Sequence, residues 1–351
     1  MKLKKNISKR HVVILKNDAV GDLVHSLKAI NNLINDNEIK KITIFLSNLS
    51  KNFSFLIKSR KVDVKILNYN LKVFEKLKLF FYFLKNEIDE VYILSPKNFY
   101  YYLPLIFFRT KFNAICVNNI NNYKRPSSFL RGFLNNYEIN DRSAIFKRKP
   151  TSEIQNNLIQ KKNILENREI NFPLPSKKLE KHLPKNYFYF HLNKKRLNAL
   201  GWGINDLKIL FNELLKNCDY LVITKDIEID ENTKILKDNF TTIDLKNENY
   251  IDKKTKILFI ENIQGIDLYN LIRFSKKIIC FHGMMTNLAS IEKKKVLDLW
   301  YCRNRNWEDY RNSRNSFYEF KPKYKGYDFI IPSKSIEKTI RKMKFSFKNE
   351  K

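Results

Sequence analysis

Two segments of this sequence join a short apolar run, a turn with one glycine and a stretch of helical spacing: VVILKNDAVGDLVHSLKAINNLI near the start and IICFHGMMTNLASI near the end. An apolar run of strand length followed directly by a helix is the βα unit of a parallel sheet. Between 20 and 34, Leu23, Val24, Leu27, Ile30, Leu33 and Ile34 recur at spacings of three and four, which predicts an amphipathic helix packed on that sheet. Further runs at 12–15, 42–46, 62–66, 91–94 and 114–117 predict the strands of a first sheet, with gaps long enough for helices. The alternation restarts with YFYFHL, YLVIT, ILFIE, KIICF and KVLDLW, and helices are predicted at 152–165, 205–215, 268–274 and 336–343.

A chain of 351 residues with 43% hydrophobic content can bury two ordinary cores. The predicted fold is α/β, two Rossmann-like lobes whose parallel sheets face a central cleft. Pro173, Pro175 and Pro184 interrupt helix and strand alike, so the boundaries are set at 1–170 for the first lobe, 171–186 for a linker and 187–351 for the second lobe with its terminal helix.

The 67 Lys and Arg against 36 Asp and Glu give a net charge of +31, which favours anionic partners. The lysines are spread over every segment beside abundant Asn and Ile, so compositional drift explains much of the excess, and attraction to an anionic membrane surface is compatible with it. Cys116, Cys218, Cys280 and Cys302 lie at wide, irregular spacings with no CxxC pair, which points away from a zinc site or a disulfide framework. The apolar run after the basic N-terminus is only strand length, so no export signal or membrane span is expected and the chain is placed in the cytoplasm.

Gly21 stands where the first strand turns into its helix, a place where backbone can approach a ligand and helix amides face it. Asp22 follows in the first turn, where a carboxylate serves either the helix dipole or chemistry. Neither a GxGxxG fingerprint nor a Gly-rich GKS or GKT loop occurs, and no DxD-like acidic pair suggests a metal-holding loop. In CFHGMMTNLAS, His282 and Gly283 follow a strand, and Thr286 and Asn287 are expected to open a helix, as N-caps or as part of a diphosphate cradle. The aromatic run 99–108, FYYYLPLIFF, fits core packing or contact with a membrane interface. The stretch 301–320 mixes Arg, Asn and aromatics, as a polar loop or as a stacking surface.

The order of these pieces resembles the lipopolysaccharide heptosyltransferase family, glycosyltransferase family nine, of GT-B fold. In that family a strand followed by G-D-x-[LIV] opens the acceptor lobe, and LKNDAVGDLVHSLKAINNL matches it in residue type and position. YFHLNKKRLNALGWGINDLKILFNELL resembles the first strand, basic loop, Trp and helix of the donor lobe, and IQGIDLYNLIRFSKKIICFHGMMTNLASIEKKKVLDLW resembles its closing donor-site motif. The family's late motif reads D-[ST]-G-P-x-H-L-A. Here Cys280, Phe281 and His282 precede Gly283, the acidic residue is missing, and Asn287 stands near the place of the histidine.

The resemblance implies an inverting, metal-independent glycosyltransferase that needs no cofactor. It would move heptose or a related sugar from an ADP- or other nucleoside-diphosphate sugar to a glycan or lipid-linked acceptor such as a lipopolysaccharide core. Asp22 would be the catalytic base. Lys195 and Arg196, with Lys194 beside them, Thr224, His282, Gly283, Met284, Met285, Thr286 and Asn287 would hold the donor and its phosphates. Gly21, His25, Lys97, Lys124 and Arg125 would line the acceptor side. A monomer is expected, in peripheral contact with the cytoplasmic face of the inner membrane, with no nucleic-acid partner. The competing readings are a basic anion- or nucleic-acid-binding protein without catalysis, and a degenerate GT-B protein that binds nucleotide sugar without transfer.

Overall fold

The computed structural model describes residues 10–117, 126–140, 149–159, 176–225, 231–247, 249–263, 265–301 and 320–348. The chain divides into two compact units, Met1–Phe172 with Arg314–Lys321, and Pro173–Ser313 with Pro322–Lys351.

In the first unit β1 (Arg10–Lys16) leads into α1 (Val20–Ile34), then β2 (Ile39–Ser47) and β3 (Val62–Leu67). They are followed by α2 (Val73–Lys85), β4 (Glu90–Ile93), α3 (Leu103–Ile106), β5 (Lys111–Val117), α4 (Ser128–Arg131), β6 (Asn136–Asn140) and α5 (Thr151–Ile159). The six strands are all parallel, in the order β3-β2-β1-β4-β5-β6. Val13, Leu15, Val91, Ile93, Phe112 and Ala114 join Leu79 and Phe83 of α2 in one core layer. Val12 and Ile14, equally buried, point to the opposite face because side chains alternate along a strand. Burial on both faces explains why the strands read as unbroken apolar runs.

The second unit runs α6 (Lys177–His182), β7 (Tyr187–Leu192), α7 (Lys194–Leu200), α8 (Ile204–Leu215), β8 (Tyr220–Lys225) and α9 (Glu231–Asn239). It continues with β9 (Thr241–Asp244), β10 (Asn249–Ile251), β11 (Ile257–Glu261), α10 (Gly265–Phe274), β12 (Lys277–Phe281) and α11 (Met284–Ile291). The last described elements are β13 (Val296–Leu299), β14 (Tyr327–Ile330) and α12 (Ile336–Lys348). The sheet order is β10-β9-β11-β8-β7-β12-β13-β14, parallel except where β10 pairs antiparallel with β9. Its core joins Phe190, Ile223, Phe259 and Ile279 to Leu207 and Phe211 of α8 and to Ile336, Ile340 and Met343 of α12.

The predicted strands are present, and the sequence pattern missed β6, β9, β10 and β14, of which β9 is an inner strand. β10 is exposed throughout and β14 is only half-buried, so neither carries the apolar run that marks a central strand. Helix α5 starts at Thr151, and the part of its predicted span beyond 159 lies outside the described residues. Within the proline-rich 171–186 segment the chain forms α6, whose start is tied to α10 by a 2.7 Å bond from the Ser176 amide to Asp267 Oδ1.

Both sheets have a point where the strand order reverses, between β1 and β4 in the first unit and between β7 and β12 in the second. The crevice at the carboxyl ends of such strands is where open α/β sheets receive ligands. Asp18, Gly21 and Asp22 follow β1, and His282 and Gly283 follow β12, so the sheet order alone puts them there.

Candidate functional site

At the end of β1 the sequence departs from its apolar run with Lys16, Asn17 and Asp18; Asn17 and Asp18 are caught by neighbouring strand ends, and Lys16 by Asp18 itself. Lys16 is 2% exposed, and its Nζ lies 2.9 Å from Asp18 Oδ2. Ser95, just past β4, donates its hydroxyl to the same carboxylate oxygen at 2.5 Å. The Asp18 carbonyl accepts from Ser47 and, at 2.6 Å, from Ser50. Asn17, fully buried, donates to the Asn68 carbonyl at 2.9 Å beyond β3.

Burial pushes the Asp18 carboxyl up, but Lys16, the Ser95 hydroxyl and Lys97 together outweigh it and hold the group below the ordinary carboxylate range. Lys97 is half-buried. It donates to the Tyr69 carbonyl and sits 4.4 Å from that residue's ring centre. Burial lowers its pKa, with Asp18 opposing. Asp18, Lys16 and Ser95 are thus polar groups of this strand end that the sequence reading left out. Two charges within three residues at the close of an apolar strand were the signal available.

Asp22 is the third residue of α1 and is half-buried. Ala19, which caps the helix, contributes no side-chain bond, so the first-turn amides are not closed off by a cap. Ser26 donates to the Asp22 carbonyl at 3.0 Å, and His25, one turn further on the same face, has its ring 5.3 Å from Phe320. Gly21 lies inside the first turn of the helix. Asp18 and Asp22 therefore differ in kind. An oxygen of the first is taken by an ammonium and a hydroxyl that stabilise its charge, which weakens it as a base, while the second stands in a partly open helix start. Lys124 and Arg125 lie outside the described residues.

In the second unit the expected basic loop is a helix. Lys194, Lys195 and Arg196 form the first turn of α7, because Asn193 caps it by accepting from the Arg196 amide at 3.0 Å. Lys195 is exposed, and the Arg196 guanidinium stands 5.2 Å from the Tyr301 ring. The Trp of the resemblance, Trp202, is 3% exposed and donates to the Ser333 carbonyl at 3.0 Å, a packing role. Thr224 is fully buried, with its hydroxyl 2.6 Å from the Tyr189 hydroxyl and 2.8 Å from His191 Nδ1. Its hydroxyl is taken up by these two neighbours, and His191, a half-buried residue near the end of β7, is one that sequence reasoning did not single out.

Helix α11 begins two residues earlier than expected. Gly283 is its N-cap, so neither Thr286 nor Asn287 caps it. Thr286 is fully buried with its hydroxyl 3.4 Å from Cys280 Sγ. Met285 is 2% exposed, and its sulfur accepts from the Tyr189 hydroxyl at 3.8 Å. Asn287 is 6% exposed, and its Oδ1 has no hydrogen-bond partner among the described residues. Gly283, His282 and Met284 remain partly open. Gly283 has φ +152° and ψ −138°, a region that only glycine occupies readily, and a Cβ there would meet nothing within 4 Å. A glycine kept by conformation, opening onto free space at a helix start, suits close approach of an anionic group.

An acidic residue does reach the late motif, from the neighbouring strand. Asp298 of β13, paired in register with Cys280, is fully buried, and its Oδ2 lies 2.6 Å from His282 Nδ1. The Tyr327 hydroxyl donates to the same oxygen at 2.8 Å. A carboxylate only accepts, so Nδ1 of His282 carries the shared proton. Burial, then Asp298, pushes the Tyr327 phenol up, which keeps it a donor. The Trp300 ring, 3.7 Å from that of His282, completes the packing. A charge in the middle of KVLDLW was the sequence signal for Asp298. Among the described residues no group of three His, Cys, Asp or Glu side chains is placed to hold a metal ion.

No protein-family model and no curated protein matches this sequence. Solved structures do match. The glycosyl transferase family 9 structure from Veillonella parvula is 10% identical, with 98% of this chain and 92% of that one covered at a TM-score of 0.62. The ADP-heptose LPS heptosyltransferase II of E. coli is 13% identical, with 97% and 99% covered at a TM-score of 0.64. A UDP-N-acetylglucosamine 2-epimerase, so described, from Listeria monocytogenes is 12% identical, with 98% and 89% covered at a TM-score of 0.56. The fold of this chain is that of the heptosyltransferases of glycosyltransferase family nine, the GT-B fold of two Rossmann-like, parallel-dominated sheets.

Proposed function

We propose that this protein is an inverting glycosyltransferase that moves a sugar, heptose or a relative, from a nucleoside-diphosphate donor to a glycan or lipid-linked acceptor such as a lipopolysaccharide core. The observation that carries this reading is the presence of a half-buried carboxylate after β1, Asp22, and of a glycine-capped helix start after β12, each at the switch point of its sheet. The second unit receives the donor. Amides at the start of α11, His282 held by Asp298, and Lys195 and Arg196 of α7 offer hydrogen bonds and positive charge to the diphosphate.

The first unit receives the acceptor, with His25 one turn on from Asp22 and Lys97 near Asp18. Asp22 takes the proton of the acceptor hydroxyl, whose oxygen forms the new bond to the anomeric carbon. The bond from that carbon to the diphosphate oxygen breaks, and the nucleoside diphosphate departs with the electron pair. The departing charge is met by helix amides and cations, so the side chains present supply the stabilisation the step requires. An acceptor anchored in lipid places the enzyme at the cytoplasmic face of the membrane, and no helix among the described residues is long and apolar enough to cross it.

Thermal stability of the purified protein against ADP, UDP, GDP and CMP tests the donor side, because a ligand that binds only the folded state stabilises it by an amount that grows as the logarithm of its concentration over Kd. A selective shift with one nucleoside diphosphate is expected. No shift with any of them sinks the reading. The altered late motif supports one second reading, a protein that binds nucleotide sugar without transferring it. A selective shift with no turnover of the corresponding sugar nucleotide would decide for that reading.

A further inference from the structure

Helix α2 buries one side and leaves large apolar groups on the other. Leu79 and Phe83 are in the core at 0% and 4% exposure, whereas Val73, Leu77, Phe81 and Leu84 are 70%, 48%, 52% and 57% exposed. Steps of four, four and three put those exposed residues on one stripe of the helix, and Phe74, 74% exposed, flanks it. A surface helix ordinarily turns charged residues outward on such a stripe.

The next segment repeats the arrangement. In the aromatic run 99–108, Tyr100, Tyr101 and Leu103 are buried, while Tyr102, Ile106 and Phe108 are 51%, 51% and 77% exposed. Core packing and an outward aromatic surface are therefore both true of this run. It lies against α2, because the Phe107 ring is 5.7 Å from Phe80 and 5.1 Å from Phe83. Both belong to the layer that covers one face of the first sheet. Apolar side chains exposed singly are normal, but a group of adjacent ones on one layer marks an interaction surface.

Charge identifies the partner. Between 71 and 86 and between 98 and 112 the exposed charged side chains are Lys72, Lys78, Lys85, Arg109 and Lys111, all cationic. The one acid in these stretches, Glu75, is 7% exposed and accepts from Asn68. Glu87 and Asp89 stand beyond the end of α2, in the turn into β4. Pairing of two such faces between copies of the chain would bring like charges together over the whole patch. A nucleic acid would meet the lysines and leave the apolar stripe in water. An anionic bilayer surface satisfies both, with ring and aliphatic groups entering the headgroup region and lysine stems reaching lipid phosphates.

We propose that this face of the first unit, α2 with the exposed side of 98–111, docks the protein on anionic lipid with α2 lying in the plane of the interface. The proposal deepens the membrane part of the function proposed above by naming the surface and the lipid charge it requires.

Co-sedimentation of the full chain with vesicles of phosphatidylglycerol and phosphatidylethanolamine, beside vesicles of phosphatidylcholine alone, tests it. Binding to the anionic vesicles is expected, weakened at high salt. The combined variant Phe74→Ser, Phe81→Ser, Phe108→Ser should lower partitioning by about tenfold or more, and Lys72→Gln, Lys78→Gln, Lys85→Gln should do so on anionic vesicles only. All six side chains are exposed, so melting temperatures should stay near that of the parent. As a second readout, Phe81→Trp should shift its emission to the blue on addition of anionic vesicles. Equal binding to both vesicle types, unchanged partitioning of the Phe variant, or a dimer of the parent chain that the Phe variant converts to monomer would each overturn the proposal. Nucleotide-induced stabilisation is read separately: its loss would sink the transferase reading and leave the docking surface standing.

Discussion

The same place in two sheets is furnished in opposite ways. At the β1/β4 switch point of the first unit the polar groups are ionic and interlocked: a buried Lys16 against Asp18, Ser95 on the same oxygen, and Lys97 nearby. At the β7/β12 switch point of the second unit the one buried carboxylate, Asp298, is taken by His282 and Tyr327, and the other groups are Thr224 with His191 and the helix start at Gly283, with Lys195 left outside. The strand order decides where a ligand is received, and the side chains at the strand ends decide what the place can do. The first arrangement ties Asp18 to Lys16 and Ser95 four residues before the half-buried Asp22. The second offers backbone amides at a helix start, the kind of donor that suits an anionic leaving group.

The sharpest way to break the comparison is Asp22→Ala. Turnover should fall by about 10²- to 10⁴-fold while nucleotide-induced stabilisation persists, measured by product formation and by melting with nucleotide. Retained turnover would take Asp22 out of the chemistry and move attention to Asp18. Second in size, Asp18→Ala leaves the buried Lys16 ammonium without its partner and should lower stability by about 3–5 kcal/mol, read from urea unfolding. A loss below about 1 kcal/mol would mean that the strand end is not held by this pair.

The pair also carries a pH signature. The folded Asp18 binds its proton less readily than the unfolded chain does. Its contribution is therefore complete above the ordinary carboxylate pKa, about 3.9, and drains away as pH falls through the lower folded value. Asp18→Asn should flatten the stability curve in that acid range, and an unchanged slope would count against it.

Gly283→Ala sharpens the other side. A Cβ there meets no atom within 4 Å, so any loss reports backbone strain, expected at about 1–3 kcal/mol, together with weaker nucleotide binding by titration calorimetry. The smallest effect is expected from Lys195→Ala, an exposed side chain whose removal should weaken nucleotide affinity by about 1 kcal/mol or less.

Much of the fold was legible because both sheets bury their central strands on two faces, which writes them as apolar runs such as 12–15 and 278–281. The edge strands β6, β10 and β14 were not legible, since none carries such a run, and neither was the inner strand β9, whose four residues are mostly Thr and Asp. Asp22 and Gly283 could be proposed from the sequence because a glycine near a strand-to-helix junction is a local pattern. Asp18, His191 and Asp298 were not, because their roles depend on partners 77, 33 and 16 residues away. Lys194, Lys195 and Arg196 read as a loop because the cap that makes them helical is a single Asn193 side chain. The run 99–108 could not be divided into buried and exposed members, since its short helices change phase within a few residues.

The sequence by itself determined two α/β halves, the turns that follow β1 and β12, and a cationic chain, because these rest on hydrophobic period, glycine and charge counts, all local or additive. Only the tertiary structure decided which polar groups meet at those turns. Lys16 finds Asp18 and Ser95, His282 finds Asp298 and Tyr327, and an apolar helix turns one stripe outward beside a second aromatic surface. The reason is physical: a buried charge or an exposed ring is defined by what lies across the sheet from it, and strand order, not spacing along the chain, sets that neighbour.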